Sequence, residues 1–254
     1  MAQTQIAAQM YTLREFARTP EDLEKTFRKV KSMGYDVVQI SGIYPIEYPD
    51  LKKMLDDTGL KVCATHIPYE QMRDEPRKVI EDHYLIECKY PAIGGLPGNY
   101  RNAEGYTKFA KEATEVGRKL ADGGVFFGYH NHSFELESFG GRTGLQILYE
   151  DSDPRYFKAE IDTYWVQHGG GDPAAWIVKL SGRIPLVHLK DMTVRGGTPI
   201  MAEVGEGNLN WPRILEACKK AGVEWYIVEQ DTCERDPFDS LKISLENMKS
   251  WGLQ

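Results

Sequence analysis

The sequence predicts an α/β fold, and more specifically a single eight-stranded (β/α)8 barrel. Short apolar runs alternate with longer amphipathic segments along the chain, a pattern typical of parallel strands joined by helical crossovers. The 254 residues match the usual size of such a barrel, and no linker divides them, so residues 1–254 are expected to form one domain. A doubly wound open sheet is the alternative. It would normally carry a glycine-rich phosphate-binding turn after the first strand, whereas the first candidate strand here runs into Tyr11, Thr12 and Leu13.

Eight segments have the length and apolar content of strands. The candidate strands are residues 5–11, 36–41, 61–66, 91–96, 124–132, 157–163, 184–190 and 225–230, of which 91–96 has the weakest pattern. Helical patterns fall between them at residues 19–34, 48–58, 70–88, 103–121, 142–150, 172–181, 210–221 and 236–252. The first helix has a clear start, because Thr19 can cap it and Pro20 suits its first turn. The eight repeats favour a closed barrel over an open sheet.

Composition and charge exclude several kinds of partner. The net charge is −7 and no basic run occurs, which argues against nucleic acid because a duplex-binding surface needs clustered Lys and Arg. No apolar stretch reaches the roughly 18 residues that span a bilayer, so no membrane association is expected. Residues 1–16 lack the pattern of a signal peptide, and the four cysteines form no C-x-x-C pair. A cytoplasmic location with structural thiols is therefore expected.

Polar side chains occur near the ends of most candidate strands, where apolar residues would be expected. They are Gln9, Tyr11, Gln39, His66, His130, His132, Asp162, His188, Lys190, Glu229 and Asp231. Within a strand they keep one parity, as His188 and Lys190 do, so they share the face that points to the barrel axis. Each one alone could be a strand-end group in contact with water. Together they converge on the end where barrel active sites lie, and a metal ion would satisfy them jointly.

The carboxylate and imidazole groups of this set are borderline-to-hard ligands. They suit one divalent ion such as Mn²⁺, Mg²⁺, Co²⁺ or Zn²⁺, and the residue types do not choose among these ions. Lys190 follows His188 on the same face and has two interpretations. It could neutralise an anionic oxygen of a substrate, or it could form a salt bridge with Glu160 or Asp191.

Six segments of the chain are similar to one known family. They are YHNHSFE (129–135), AEIDTYW (159–165), HGGGDP (168–173), PLVHLKD (185–191), VGEGNLNW (204–211) and YIVEQD (226–231). Taken together they resemble the xylose-isomerase-like sugar isomerase and epimerase barrels, a family that also includes inosose dehydratases and endonuclease-IV-type enzymes. The resemblance covers nearly the whole chain and implies a TIM barrel that acts on a small carbohydrate, with a homo-oligomer as a further expectation. The acidic charge disfavours the endonuclease branch, which needs a basic groove and several zinc ions.

The resemblance implies a single bound metal ion, with Mn²⁺ as the first choice. Family members hold this ion through a Glu, an Asp, a His and a second Glu from successive strands. By motif, the last three ligands are Asp162, His188 and Glu229. The first ligand is open, because many members have Glu-Asn-His at the end of the fifth strand, where this sequence has His130, Asn131 and His132. Glu135 is the preferred fourth ligand, and His130 is its rival.

The resemblance also implies the chemistry, namely removal of a proton from a carbon next to a carbonyl through a metal-stabilised enediolate. Isomerisation or epimerisation follows if a proton returns, with Glu229 and Glu135 as the acid/base groups. His130 and His132 suggest a second version, in which the enolate expels a leaving group, as in a dehydratase or lyase that acts on an inosose or a 3-keto-glycoside. A barrel that only binds a sugar is the remaining alternative.

Three more residues are candidates for contact with the substrate. His66 lies at a strand end, and His168 lies in a glycine-rich loop. Trp165 could form an apolar wall for a sugar ring, although tryptophan more often packs in a core. Together with Lys190, these residues complete the predicted substrate site.

Overall fold

The strands form a closed parallel barrel in a computed structural model that describes residues 5–253. The strands are β1 (Gln5–Gln9), β2 (Val37–Ile40), β3 (Lys61–His66), β4 (Tyr90–Ile93), β5 (Phe127–His130), β6 (Phe157–Asp162), β7 (Leu186–Leu189) and β8 (Trp225–Val228). Each strand pairs with its neighbour in the chain, and β1 closes the barrel by pairing in parallel with β8. The predicted (β/α)8 fold is therefore confirmed, and the weak fourth candidate is a true strand.

Helices connect the strands on the outside of the barrel. They are α1 (Pro20–Ser32), α2 (Tyr48–Thr58), α3 (Tyr69–Asp74), α4 (Pro76–Leu85), α5 (Ala103–Ala121), α6 (Gly144–Glu150), α7 (Thr163–His168), α8 (Pro173–Lys179), α9 (Trp211–Ala221) and α10 (Pro237–Ser250). Short 3-10 helices lie at Met10–Phe16, Gly98–Tyr100 and Phe134–Leu136. Within residues 5–253, no helix is both long enough and apolar enough to cross a bilayer.

Capping residues explain where several helices begin. The Thr19 side chain accepts a hydrogen bond from Asp22 N at 3.1 Å, with Pro20 in the first turn, as the sequence predicts. The predicted helix at 70–88 is two helices instead. Pro76 starts the second one, because proline suits a first turn and disfavours a helical conformation in the residue before it.

The core has an outer and an inner layer. The outer layer lies between strands and helices and includes Phe109, Phe127 and Phe157, whose rings contact one another. The inner layer fills the barrel and consists of Ala7, Val37, Cys63, Ala64, Tyr90, Leu186 and Ile227. These apolar residues lie toward the N-terminal ends of the strands. The C-terminal half of the interior is left to polar side chains, which is where the candidate site lies.

A buried aspartate organises the long connection after β7. This connection begins with a hairpin of strands Asp191–Arg195 and Thr198–Ala202. The Asp191 carboxylate is fully buried and accepts hydrogen bonds from Gly205 N (2.9 Å), Gly207 N (3.1 Å), Leu209 N (3.2 Å) and Trp211 Nε1 (2.5 Å). A Cβ on Gly207 would lie 2.4 Å from Asp191 Oδ1, so only glycine permits this approach. The segment VGEGNLNW is thus wrapped around one carboxylate.

We expect Asp191→Asn to destabilise the protein by about 2–4 kcal/mol, because an amide nitrogen cannot accept the hydrogen bonds that one carboxylate oxygen receives. Thermal unfolding should then show a midpoint several degrees below that of the wild type. Asp57→Asn is the matched control, since Asp57 is exposed on α2 and the substitution removes the same charge. Equal midpoints for the two variants would show that Asp191 does not organise this loop.

Candidate metal centre and active site

Four side chains from consecutive strands meet at the C-terminal end of the barrel. His130 and Asp162 end β5 and β6, His188 lies in β7, and Glu229 follows β8; all four are buried. His130 Nε2 lies 3.2 Å from Asp162 Oδ2, and His188 Nδ1 lies 2.9 Å from Glu229 Oε2. Each of the four residues offers one ligand atom, and these four atoms all lie within 4.8 Å of one another. The register brings Asp162 directly beside His188, while His130 pairs with Glu160 and His188 with Ile227, so the other two ligands are offset by two residues along their strands.

The spacing of these atoms fits a single divalent ion. Nitrogen and oxygen ligands bind such an ion at about 2.0–2.2 Å, so ligand atoms around it lie roughly 3–4.5 Å apart. Two further distances between these ligand atoms fall in that range: 3.8 Å from His130 Nε2 to Glu229 Oε2, and 4.0 Å from His188 Nδ1 to Asp162 Oδ2. Two imidazoles and two carboxylates are a ligand set that Mn²⁺, Co²⁺ and Zn²⁺ accept.

The orientation of Asp162 is fixed from two sides. Its Oδ1 accepts a hydrogen bond from Trp165 N at 2.8 Å and so caps α7. Its backbone N donates to Asn131 Oδ1 at 3.1 Å. With Oδ1 occupied by the cap, Oδ2 is left to face His130 and the other ligand atoms.

Glu135 lies apart from this group, contrary to the ligand preferred from the sequence. Its carboxylate accepts hydrogen bonds from Tyr129 Oη at 2.5 Å and from His132 N at 2.9 Å. After β5 the chain turns into the 3-10 helix Phe134–Leu136, which folds Glu135 back onto Tyr129 in the outer layer. Burial raises the pKa of Glu135 to about 7, against the opposing effect of these hydrogen bonds. The structure places His130, the rival candidate, beside the other three residues.

Lys190 lies inside the group of ligands. It is fully buried, and its Nζ lies 2.8 Å from Glu229 Oε2, 3.1 Å from Asp162 Oδ2 and 2.6 Å from Asp231 Oδ2. Burial alone would lower the pKa of Lys190, but these three carboxylates raise it well above its usual value. The sequence suggested a salt bridge from Lys190 to Glu160 or Asp191, and both suggestions were wrong. Glu160 pairs with His66 and His188, and Asp191 faces the loop after β7.

A second set of polar residues lies beneath the first. Glu160 Oε2 contacts His66 Nε2 at 2.6 Å, and Glu160 Oε1 accepts a hydrogen bond from Gln39 Nε2 at 2.7 Å. His188 joins the two layers, since its Nε2 lies 2.7 Å from Gln39 Oε1 and 3.3 Å from Glu160 Oε1. Contacts of this kind orient a metal-binding imidazole by holding the nitrogen that does not face the metal. The parity of β6 placed Glu160 on the axis face, but it did not indicate these partners.

The charges of this lower layer stabilise one another. Burial would raise the pKa of Glu160, but His188 and His66 hold it well below its usual value. Burial would lower the pKa of His188, but Glu160 and Glu229 raise it to about 10. In the protein without metal, His188 is therefore an imidazolium at neutral pH.

His132, a predicted acid/base residue, and Trp165, a predicted substrate residue, form one wall beside His130. The ring of His132 lies 5.1 Å from that of His130 and 5.2 Å from that of Trp165. Burial, together with the nearby charges of His130 and Lys190, lowers the pKa of His132 to about 3, so this ring is neutral at physiological pH. His168 ends α7 and is exposed, so its predicted place in a glycine-rich loop was wrong; its ring lies 5.5 Å from that of Trp165.

Several buried polar atoms around the barrel end have no hydrogen-bond partner within the described part of the chain. They are Gln9 Nε2, His132 Nδ1, Trp165 Nε1 and Gln230 Oε1. Leaving such atoms unpaired costs free energy, and a polar ligand would satisfy them. Space for the rings comes from two glycines that follow β4: a Cβ on Gly94 would lie 3.0 Å from His66 Nδ1, and one on Gly95 would lie 3.2 Å from His132 Cε1.

We expect the His188 pKa of the metal-free protein to lie near 10 and to fall toward 6.5 in Glu160→Gln, because one of its two carboxylate partners is removed. The stabilisation from His188 should be fully present below pH 6.5 and be lost as the pH rises toward 10. Histidine ring resonances followed by NMR during a pH titration measure this pKa. Glu203→Gln, at a buried carboxylate outside the site, is the control. An unchanged His188 titration in Glu160→Gln would contradict the assigned pairing.

Comparison with known proteins identifies relatives along most of the chain. Residues 27–251 match the family model described as xylose isomerase-like TIM barrel. The rhizopine catabolism protein MocC of Rhizobium meliloti is 25% identical, over 89% of this chain and 80% of that protein. An inosose dehydratase of Clostridium beijerinckii is 26% identical, over 85% of this chain and 86% of its own.

Solved structures show the same fold. A sugar phosphate isomerase/epimerase from Parabacteroides distasonis superposes with a TM-score of 0.81 at 23% identity, covering 98% of this chain and 95% of that one. At this identity, the likeness is evidence for the architecture rather than for a shared reaction. Because the family model spans nearly the whole barrel, the chain belongs to the xylose isomerase-like TIM barrel family.

Proposed function

We propose that this protein is a divalent-metal-dependent sugar isomerase or epimerase that removes a proton from a carbon next to a carbonyl. The observation that carries the proposal is the convergence of His130, Asp162, His188 and Glu229, whose ligand atoms all lie within 4.8 Å of one another at the end of the barrel. The sugar isomerase/epimerase and dehydratase relatives support the carbohydrate class of substrate.

The proposed roles divide between the metal ligands and the surrounding wall. His130, Asp162, His188 and Glu229 would hold the ion, with Mn²⁺ as the first candidate, and it would supply Lewis-acid stabilisation of an enediolate. Glu229 is the proposed base: its contacts with His130, His188 and Lys190 all involve Oε2, which leaves Oε1 for the substrate proton. Glu135 is proposed to hold the His132 backbone in place rather than to act on the substrate.

The wall formed by His132 and Trp165 is suited to a polyhydroxylated ligand. Trp165 Nε1 and His132 Nδ1 are unpaired polar atoms on adjacent rings, and each would pair with a substrate hydroxyl group. The neutral His132 ring can accept or donate a hydrogen bond, and it is the proposed second acid/base group. His66 is tied to Glu160 and lies at the floor of the site, while the exposed His168 borders Trp165.

Elimination is the second candidate reaction, because the curated relatives include inosose dehydratases. Its first step, loss of the proton next to the carbonyl, is the same. A hydroxyl or an aglycone would then leave from the next carbon of an inosose or a 3-keto-glycoside, with an acid group donating a proton to it. The Lys190 ammonium, which contacts Glu229 and Asp162, is the proposed donor for this step. A barrel that only binds a sugar remains the non-catalytic alternative.

We expect His130→Ala to weaken Mn²⁺ binding by more than about tenfold, because it removes one of four ligands. Glu135→Gln is the matched comparison and should change the affinity by less than about threefold, because Glu135 contacts Tyr129 and His132 N instead. Isothermal titration calorimetry of the metal-free proteins measures both affinities. The reverse order of effects would assign the fourth ligand to Glu135.

Deuterium exchange in D₂O tests the reaction itself. The Mn²⁺-loaded protein is mixed with ketohexoses, inososes and 3-keto-glycosides and followed by NMR. Deuterium in a ketose together with a new isomer is the expected result, whereas an unsaturated product or a released aglycone would assign a lyase. Glu229→Gln should slow exchange by at least about 100-fold, and Glu216→Gln, on the exposed face of α9, should have no effect. Metal binding without exchange on any substrate would support the binding-protein alternative.

A further inference from the structure

Lys190 shares its oxygen partners with the proposed metal ion. The two oxygens that would bind the ion, Asp162 Oδ2 and Glu229 Oε2, are the ones that Lys190 Nζ contacts at 3.1 and 2.8 Å. His130 Nε2 also approaches Asp162 Oδ2, and His188 Nδ1 approaches Glu229 Oε2. The ammonium and a divalent ion would therefore compete for the same two carboxylates.

Asp231 offers the ammonium a third partner outside the set of ligands. Its Oδ2 makes the shortest of the three contacts, at 2.6 Å, and its side chain is 24% exposed while those of Lys190 and Asp162 are fully buried. The backbone at this position is anchored, because Arg14 donates a hydrogen bond to Asp231 O at 2.9 Å. Asp231 is therefore a carboxyl group held in place on the more exposed side of the ligand group.

With an ion bound, the three carboxylates that Lys190 contacts can be divided between the two cations. The carboxylates of Asp162 and Glu229 match the two charges of the ion, and the carboxylate of Asp231 matches Lys190. Like charges a few ångströms apart in a buried site repel strongly, so the ammonium cannot keep all three contacts beside the ion. The ring of Trp165, whose centroid lies 5.5 Å from Lys190 Nζ, also favours a cation close to it.

We propose that Lys190 is an internal cation that neutralises the metal-free centre and competes with the ion, and that Asp231 is the positioning residue that retains its ammonium when the ion binds. The proposal rests on the metal centre of the proposed function and adds Asp231 to it. Once withdrawn to Asp231, the ammonium lies beside the bound ion and the Trp165 wall, where it can pair with an oxygen of the substrate that becomes negative. Asp231 thus acts through Lys190 and is not itself a ligand.

A double-mutant cycle on Mn²⁺ affinity tests this proposal. Titration calorimetry with Mn²⁺ alone compares the wild type, Lys190→Met, Asp231→Asn and the double variant. Lys190→Met should tighten binding by at least about tenfold, because the competing cation is gone. Asp231→Asn should weaken binding, because the ammonium then has no partner outside the ligands. In the Lys190→Met background the same Asp231→Asn change should alter affinity by less than about twofold.

Other outcomes overturn the proposal or separate it from the metal assignment. Unchanged or weaker Mn²⁺ binding by Lys190→Met, with normal binding by the wild type, would refute competition while leaving the metal centre intact. An equal loss from Asp231→Asn in both backgrounds would make Asp231 a direct ligand and refute its positioning role. Absence of Mn²⁺ binding by both the wild type and Lys190→Met would refute the metal centre together with the proposal.

Thermal unfolding supplies a second readout and a check on folding. Without metal, Lys190→Met should unfold at a lower temperature, because three carboxylates lose their shared counter-charge. Added Mn²⁺ should raise its midpoint by more than it raises that of the wild type. Lys190→Gln replaces the methionine variant if the latter does not fold, and Lys179→Met, at an exposed residue of α8, is the control. An equal rise in both proteins would contradict competition.

Discussion

The balance of buried charge at the C-terminal end of the barrel is the constraint on which the site depends. Glu160, Asp162 and Glu229 are removed from water, and a buried carboxylate without a counter-charge would cost several kcal/mol. Strand geometry arranges the charges in layers, because residues two apart on one strand point the same way at different depths. Glu160 lies in the lower layer with histidines and Asp162 in the upper layer with Lys190, while His188 contacts both.

The fold could be predicted from the sequence because its signals are local. Alternating apolar and amphipathic segments, caps such as Thr19 and strand parity each act over a few residues, and eight repeats of them specify a barrel. The same parity correctly placed His130, Asp162, His188 and Glu229 at one end. Errors arose where the chain leaves the strands. Glu135 is turned away by a 3-10 helix, and His168 ends a short helix that begins at the Asp162 cap.

Partners across the barrel could not be predicted, because closure of the sheet decides them. Lys190 pairs with Asp162, Glu229 and Asp231. Its sequence neighbour Asp191 points in the opposite direction, away from the barrel axis, and is buried against the loop after β7. One strand therefore supplies a charge to the site at one position and an anchor for a loop at the next. Members of a barrel family can vary such loops while the strand ends keep their geometry, so likeness of fold leaves the reaction open.

The glycines that follow β4 have a consequence for the two histidines beside them. Gly94 and Gly95 contribute no side chain, and the rings of His66 and His132 occupy the space beside them. A methyl group at either position would lie 3.0 to 3.2 Å from a histidine ring, and that ring would have to move by a few tenths of an ångström. A segment that supplies no side chain of its own thereby fixes where two rings of the site can lie.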